Sequence, residues 1–138
     1  MSSEPTYAEL SPAELEWIAG NVQYARDIGI DPSNEGSISE YFDHARAAVN
    51  RGTESPEISN TVVNVVGVLV GELLCAQSAL RWRIFADEQG TDLCLHDAAT
   101  SWTLFPQSSA AKRWEAGEAG WVRPFLSWAR ESVSNPPR

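Results

Sequence analysis

Positive charge is scarce in this chain of 138 residues. Lys and Arg total 10, only one of them a lysine (Lys112), against 19 Asp and Glu, for a formal net charge of −9. Duplex nucleic acid is bound by neutralising phosphates with Lys and Arg, so that balance argues against nucleic acid as a partner, and against an anionic membrane surface. Cysteine is equally sparse. Cys75 and Cys94 stand far apart with no C-x-x-C and no nearby His pair, so neither a structural zinc site nor a redox motif is spelled out, and the expectation is two reduced thiols packed as small apolar groups. The segment Met1 to Leu10 has no basic or apolar stretch of the secretory type. The most apolar run, Thr61 to Ala76, is short of the ~20 residues that span a bilayer and is interrupted by Asn64 and Glu72. A soluble cytoplasmic protein is the default expectation.

Catalytic signatures are missing as well. There is no G-x-S-x-G elbow, no H-E-x-x-H, no C-x-x-C-H and no phosphate-binding G-x-x-x-x-G-K-[ST] loop. His44 and His96 have no nucleophile nearby in sequence, and a lone lysine leaves few routes to Schiff-base or phosphate chemistry. No catalytic residue, cofactor or metal ligand is therefore assigned.

What is present is a strong pattern of elements. The length and a 43% hydrophobic content fit a single domain over residues 1–138, with 1–10 and 134–138 as frayed ends. Ser11-Pro12-Ala13-Glu14 and Ser37-Ile38-Ser39-Glu40 read as capping boxes that open two helices. The first carries Leu15, Ile18, Val22 and Ala25 on one stripe and stops at Gly29; the second carries Ile38, Phe42, Ala45 and Val49 and ends near Gly52. Ser55-Pro56 starts a third helix, to about Ser78, that is apolar almost all round and hence central. On it Asn64, Gly67 and Gly71 form a strip without bulky side chains, where another element of the same chain can approach closely.

After Ala79 the period changes to two. Leu80, Trp82, Ile84 and Ala86 alternate with Arg81, Arg83 and Phe85, a half-buried strand. Gln89-Gly90 supplies a turn. Leu93 and Leu95 must join the buried face, so the loop must be even in length, with Ala86 opposite Leu93, Ile84 opposite Leu95 and Arg83 opposite His96. Trp102 to Phe105 reads as a third strand stopped by Pro106; Ser108 or Ser109 then caps a helix through Trp114, Gly117 and Gly120 break it, and a last helix carries Phe125, Trp128 and Ala129. The fold class is α+β: amino-terminal helices, a short three-stranded antiparallel meander, and carboxyl-terminal helices.

The order Gly67-x-x-x-Gly71-Glu72, Trp82, Asp87-Glu88-x-Gly90-Thr91-Asp92, Phe105-Pro106 and Lys112-Arg113 resembles a bacterial family known as domain of unknown function 3806, over about residues 67–126. The resemblance implies the same fold sketch and brings no activity and no catalytic residues with it.

Four features bear on chemistry. Asp87, Glu88 and Asp92 crowd the turn around Gly90, and in the expected register Asp87 and Asp92 oppose each other, so a cation, an ion pair with Lys112 or Arg113, or plain solvation must compensate. An EF-hand pattern is absent. Glu72 interrupts an apolar helix and must reach water, carry a raised pKa suited to a general acid, or pair with Arg83 or Arg113 in a structural ion pair. Among six tryptophans, Trp17, Trp82 and Trp102 fall on or beside apolar stripes and read as core, whereas Trp121 and Trp128, with Trp114, are candidates for an exposed aromatic patch. Together these favour a protein-interaction domain that meets a basic protein partner through Asp87, Glu88, Asp92, Trp121 and Trp128, an immunity protein or antitoxin being its sharpest form. A small metal-dependent or hydrolytic enzyme built on Asp87, Asp92 and Glu72 is the alternative.

Overall fold

The computed structural model describes residues 4–134. In chain order its elements are strand β1 (Thr6–Ala8), helix α1 (Pro12–Asp27), helix α2 (Glu35–Arg51), a 3-10 turn (Pro56–Ile58) leading into helix α3 (Ser59–Gln77), strands β2 (Arg81–Asp87), β3 (Gly90–Asp97) and β4 (Trp102–Leu104), and helices α4 (Pro106–Ala116) and α5 (Val122–Ser134). The fold is α+β, and the sheet has four antiparallel strands in the order β1-β2-β3-β4.

The fourth strand corrects the expectation of a frayed amino terminus. Thr6–Ala8 pairs with Ile84–Ala86. Its anchor lies across the sheet: the Tyr7 ring stacks on His96 with centroids 3.6 Å apart, and its hydroxyl sits 3.0 Å from Thr103 Oγ1. Three residues of strand carry too little pairing to stay in place alone, and these side-chain contacts supply the rest. The expected fraying at Asn135-Pro136-Pro137 lies outside the described residues.

Helix α1 begins as its capping box demands. Ser11 N–H donates to Glu14 Oε1 at 2.6 Å, and Glu14 N–H donates to Ser11 Oγ at 3.4 Å. Helix α2 begins earlier than expected, because Asn34 takes the cap by accepting from Ser37 N–H at 3.0 Å. Ser37 instead turns its hydroxyl back to accept from Asp31 N–H. Helix α4 likewise starts at Pro106 rather than at Ser108 or Ser109; the proline that ends the strand costs nothing in a first turn whose N–H has no intrahelical partner.

Helix α3 is the axis of the molecule. It is the one helix among the described residues long and apolar enough to cross a bilayer, and here it packs against α1, α2, α4, α5 and β2. Its buried residues run from Val62 through Leu74 in one cluster with Ile18, Phe42, Trp82, Leu95, Trp114, Trp121 and Leu126. The glycine strip sets how near two neighbours come. A Cβ at Gly67 would lie 3.0 Å from Gln107 Cα, and one at Gly71 would collide with the Trp82 indole.

The hairpin register differs from expectation by two residues. Asp87 pairs with Gly90, Ile84 with Leu93, Trp82 with Leu95, Arg83 with Cys94 and Arg81 with His96. Asp87 Oδ1 accepts from Gln89 N–H at 2.9 Å and Gly90 adopts φ +134°, so the two-residue turn is Glu88-Gln89 rather than Gln89-Gly90. Both loops are even, so Trp82, Ile84, Leu93 and Leu95 still face the helices.

Trp82→Ala should cost about 3–5 kcal/mol, as for a large buried aromatic. Gly71→Ala should lower stability by about 1–3 kcal/mol through overpacking, despite the better helix propensity of alanine, and Trp82→Leu in the same chain should recover part of that loss. Urea denaturation of the four chains checks the coupling; additive effects would mean that the two residues do not meet. The Tyr41 hydroxyl on α2 is buried without a hydrogen bond, and burial pushes its pKa up to about 12. The unfolded chain, with tyrosine near its ordinary value of 10.0, then releases this proton first, so stability is intact below pH 10 and falls from there towards pH 12. Tyr41→Phe should remove that component of the alkaline slope without loss of stability at pH 7, as read by denaturation at both pH values.

Candidate protein-binding surface

The acidic turn stands free of the core. Asp87, Glu88 and Asp92 are all exposed. The two-residue turn places Phe85, not Asp87, opposite Asp92, so the expected face-to-face repulsion between the two carboxylates does not arise. Each is instead held by the backbone: Asp87 accepts from Gln89 N–H, and Asp92 Oδ1 accepts from Leu93 N–H at 2.9 Å.

The expected cationic partners lie elsewhere. Arg113 forms its ion pair with Glu118 at 3.7 Å and lies over the rings of Trp121 and Phe125, while Lys112 is exposed on α4. Glu72 is not in an ion pair among the described residues. Its Oε2 accepts from the Trp82 indole N–H at 3.3 Å, because the tryptophan that fills the space above Gly71 brings its only donor to that carboxylate. The expected structural pair of Glu72 with Arg83 or Arg113 is therefore replaced by a carboxylate–indole hydrogen bond. Glu72 also faces a different cleft, beside Arg26 and Asp31, from those bordered by Asp87 and Asp92. Among the described residues no three His, Cys, Asp or Glu side chains converge on a metal-sized site.

The tryptophans divide differently from the sequence reading. Trp121, expected on a partner surface, is only 4% exposed and packs edge-on against Phe42 and Phe125. The turn after Gly120, whose N–H donates to Asp43 on α2, swings the ring inward. Trp114 is buried too, its indole N–H donating to Ser59 Oγ at 2.9 Å. Trp128 is 51% exposed and touches Trp102 and Phe125. Trp102 pairs with Asp97, at the opposite end of β3 from Gly90, so Trp128 and the acidic turn are separated by roughly the 24 Å length of that strand and do not share one compact patch.

A different aromatic side chain stands beside the acids. Trp17, expected in the core, is 40% exposed, because it lies one residue off the Ile18, Val22 and Ala25 stripe. Tyr24 and Ile28, also exposed, follow it at i+7 and i+11 and extend an apolar stripe about 16 Å along α1. Trp17 lines a cleft of about 530 Å³ together with Glu14, Asn64, Asp92, Leu93 and Gln107. The capping bonds from Ser11, its backbone N–H first, hold the Glu14 carboxyl below its ordinary pKa and keep it charged at the cleft mouth. Gln107 also lines the cleft, and its carboxamide nitrogen and oxygen are both buried without a partner. Leu15, at 55% exposure, also departs from the expected buried stripe, on the other flank of α1.

Residues 42–125 match the family described as domain of unknown function DUF3806. The chain belongs to this family. The match begins at Phe42 in α2, well before the Gly67 at which the sequence resemblance starts, so the DUF3806 region takes in most of α2 and all of the central helix, strands β2 to β4 and α4, and leaves β1 outside. No curated protein matches the chain. A crystal structure of a protein from Bacteroides thetaiotaomicron VPI-5482 at 1.50 Å resolution is similar to it, with 13% identity and a TM-score of 0.63 over 98% of this chain and 49% of that one. The likeness is one of fold, and the chain spans about half the length of that protein. Glu14 and Trp17 fall outside the DUF3806 match, while Asn64, Asp92 and Gln107 fall within it.

Glu72→Gln should leave stability within about 1 kcal/mol of the parent, since the amide oxygen can accept from Trp82 in place of the carboxylate. A loss above about 3 kcal/mol on chemical denaturation would point to a buried ion pair and contradict this assignment.

Proposed function

We propose that this DUF3806 chain is a cytoplasmic protein-interaction domain that holds a basic protein partner, in the manner of an immunity protein or antitoxin covering a basic toxin. The single observation that carries the reading is the exposed Trp17–Tyr24–Ile28 stripe running into an acidic cleft between Glu14 and Asp92. Apolar stripes of this kind are buried on association, and aromatic residues dominate the energy of such contacts. The net charge of −9 supplies long-range attraction for a cation-rich surface and repels acidic competitors. In this reading Asp87, Glu88 and Asp92 steer the encounter, and Trp17 takes the short-range part first given to Trp121. Trp128 belongs to a separate face.

The test is binding kinetics with the partner captured from the native host. Association should slow as salt rises and the Debye length falls below about 8 Å, with dissociation much less affected. Reversing the charge of Asp87, Glu88 and Asp92 together should slow association, whereas Trp17→Ala should shorten the lifetime of the complex. Association indifferent to salt, or a captured partner that is itself strongly acidic, would overturn the reading.

A further inference from the structure

The sheet has a second face, turned away from α3. Trp82, Ile84, Leu93 and Leu95 take the helix side, so strand alternation puts Tyr7, Arg83, Phe85, Cys94, His96 and Thr103 on the other. The rings there are linked in a chain. Tyr7 stacks on His96 with centroids 3.6 Å apart and meets Phe85 edge-on at 5.6 Å, and Phe85 meets Phe105 edge-on at 5.3 Å. Tyr7 belongs to β1 and Thr103 to β4, the two edge strands, so the 3.0 Å contact between their hydroxyls ties one edge of the sheet to the other. His96 Nδ1 joins the same hydroxyl of Thr103 at 3.2 Å. A flat sheet would hold those two strands about 14 Å apart, beyond the reach of one side chain, so the sheet curls over this face.

Cys94 lies inside the curl. It points away from the helices, since Leu93 and Leu95 on either side point towards them, and yet it is 0% exposed. The ring that crosses this face from edge to edge is Tyr7. That ring is carried by a slight element: β1 has three residues, pairs only with Ile84–Ala86, and leaves Thr6 and Ala8 exposed. It also lies outside the residues 42–125 that match the family, so the cover is an addition to strands that the match includes. The next residue of the chain packed against the core is Leu10. Segments with few buried contacts open locally, at a fraction of the free energy of global unfolding.

We propose that β1 is a strap that closes the outer face of the sheet, latched by Tyr7 on His96 and Thr103, and that it opens as far as Leu10 while the helices and β2–β4 stay folded. Opening admits solutes to Cys94, so the strap gates the reactions of this thiol. Cys75, half-buried on α3, stands outside its control. The device is independent of the protein-partner reading and fails or stands without it.

The experiment follows iodoacetamide labelling of the Cys75→Ser chain, in which Cys94 is the one remaining thiol, by intact mass, with urea denaturation of every variant in parallel. Labelling should pass through an opening whose urea dependence is at most about a third of that of global unfolding, because little surface is exposed. Tyr7→Ala, which loses both the stack and the hydroxyl contact, should speed labelling at least about tenfold. Thr103→Val removes the latch from the opposite edge strand and should speed it at least about threefold, which keeps the test open if Tyr7→Ala does not fold. Val133→Ala on α5 lowers global stability without touching the strap, and should leave labelling unchanged within about twofold. Labelling with the full urea dependence of global unfolding would overturn the proposal. So would labelling sped by Val133→Ala in proportion to the stability lost, or labelling indifferent to Thr103→Val and to a folded Tyr7→Ala.

Discussion

Everything in this fold is arranged around a helix buried on nearly every side. An all-round apolar helix needs more than one covering layer, and α3 receives them from α1, α2, α4, α5 and the sheet. So many neighbours fit only where some come very close. Gly67 and Gly71 allow that, one seating the start of α4 and the other the Trp82 ring. With the Trp82 ring placed, the parity of the β2–β3 pairing follows, because Trp82, Ile84, Leu93 and Leu95 must lie on the covered face, and the turn at Glu88-Gln89 goes with the one even register observed.

Long-range polar contacts then tie the outer helices to this axis. Arg130 on α5 donates to Glu35 on α2 at 2.9 Å and also reaches Gln77 at the end of α3. Arg46 on α2 donates to the Trp114 carbonyl at 2.8 Å, near the end of α4, and lies over that indole. These contacts sit at the periphery and act more on orientation than on gross stability, as partly exposed charged pairs do.

The functional surface is a by-product of the same constraint. Because Gly67 draws in Gln107 and the sheet covers a neighbouring face of α3, the turn half of the β2–β3 hairpin lies beside the first turn of α1. Glu14 thereby serves twice: it closes the capping box with Ser11, and it charges the rim of the cleft. The helix cap keeps the carboxylate oriented whether or not a partner is bound, so little side-chain freedom is lost on association.

Local rules in the sequence determined a great deal. The capping box at Ser11, the left-handed ends at Gly52 and Gly117, the central apolar helix and the parity of the hairpin all follow from interactions within a few residues, or from a period that only one secondary structure satisfies. The α+β class and the acidic turn at Asp87, Glu88 and Asp92 were legible for the same reason. Tertiary structure alone decided which aromatic rings face water, since Trp17 and Trp121 both neighbour apolar stripes yet end 40% and 4% exposed according to what packs beside them. It also decided that Glu72 meets an indole rather than an arginine, that Thr6–Ala8 forms an edge strand held by Tyr7, and that Glu14, Trp17, Asp92 and Gln107 share one cleft. Those residues are up to 93 positions apart in the chain, and no local period can encode a meeting that depends on how close two glycines let their neighbours come.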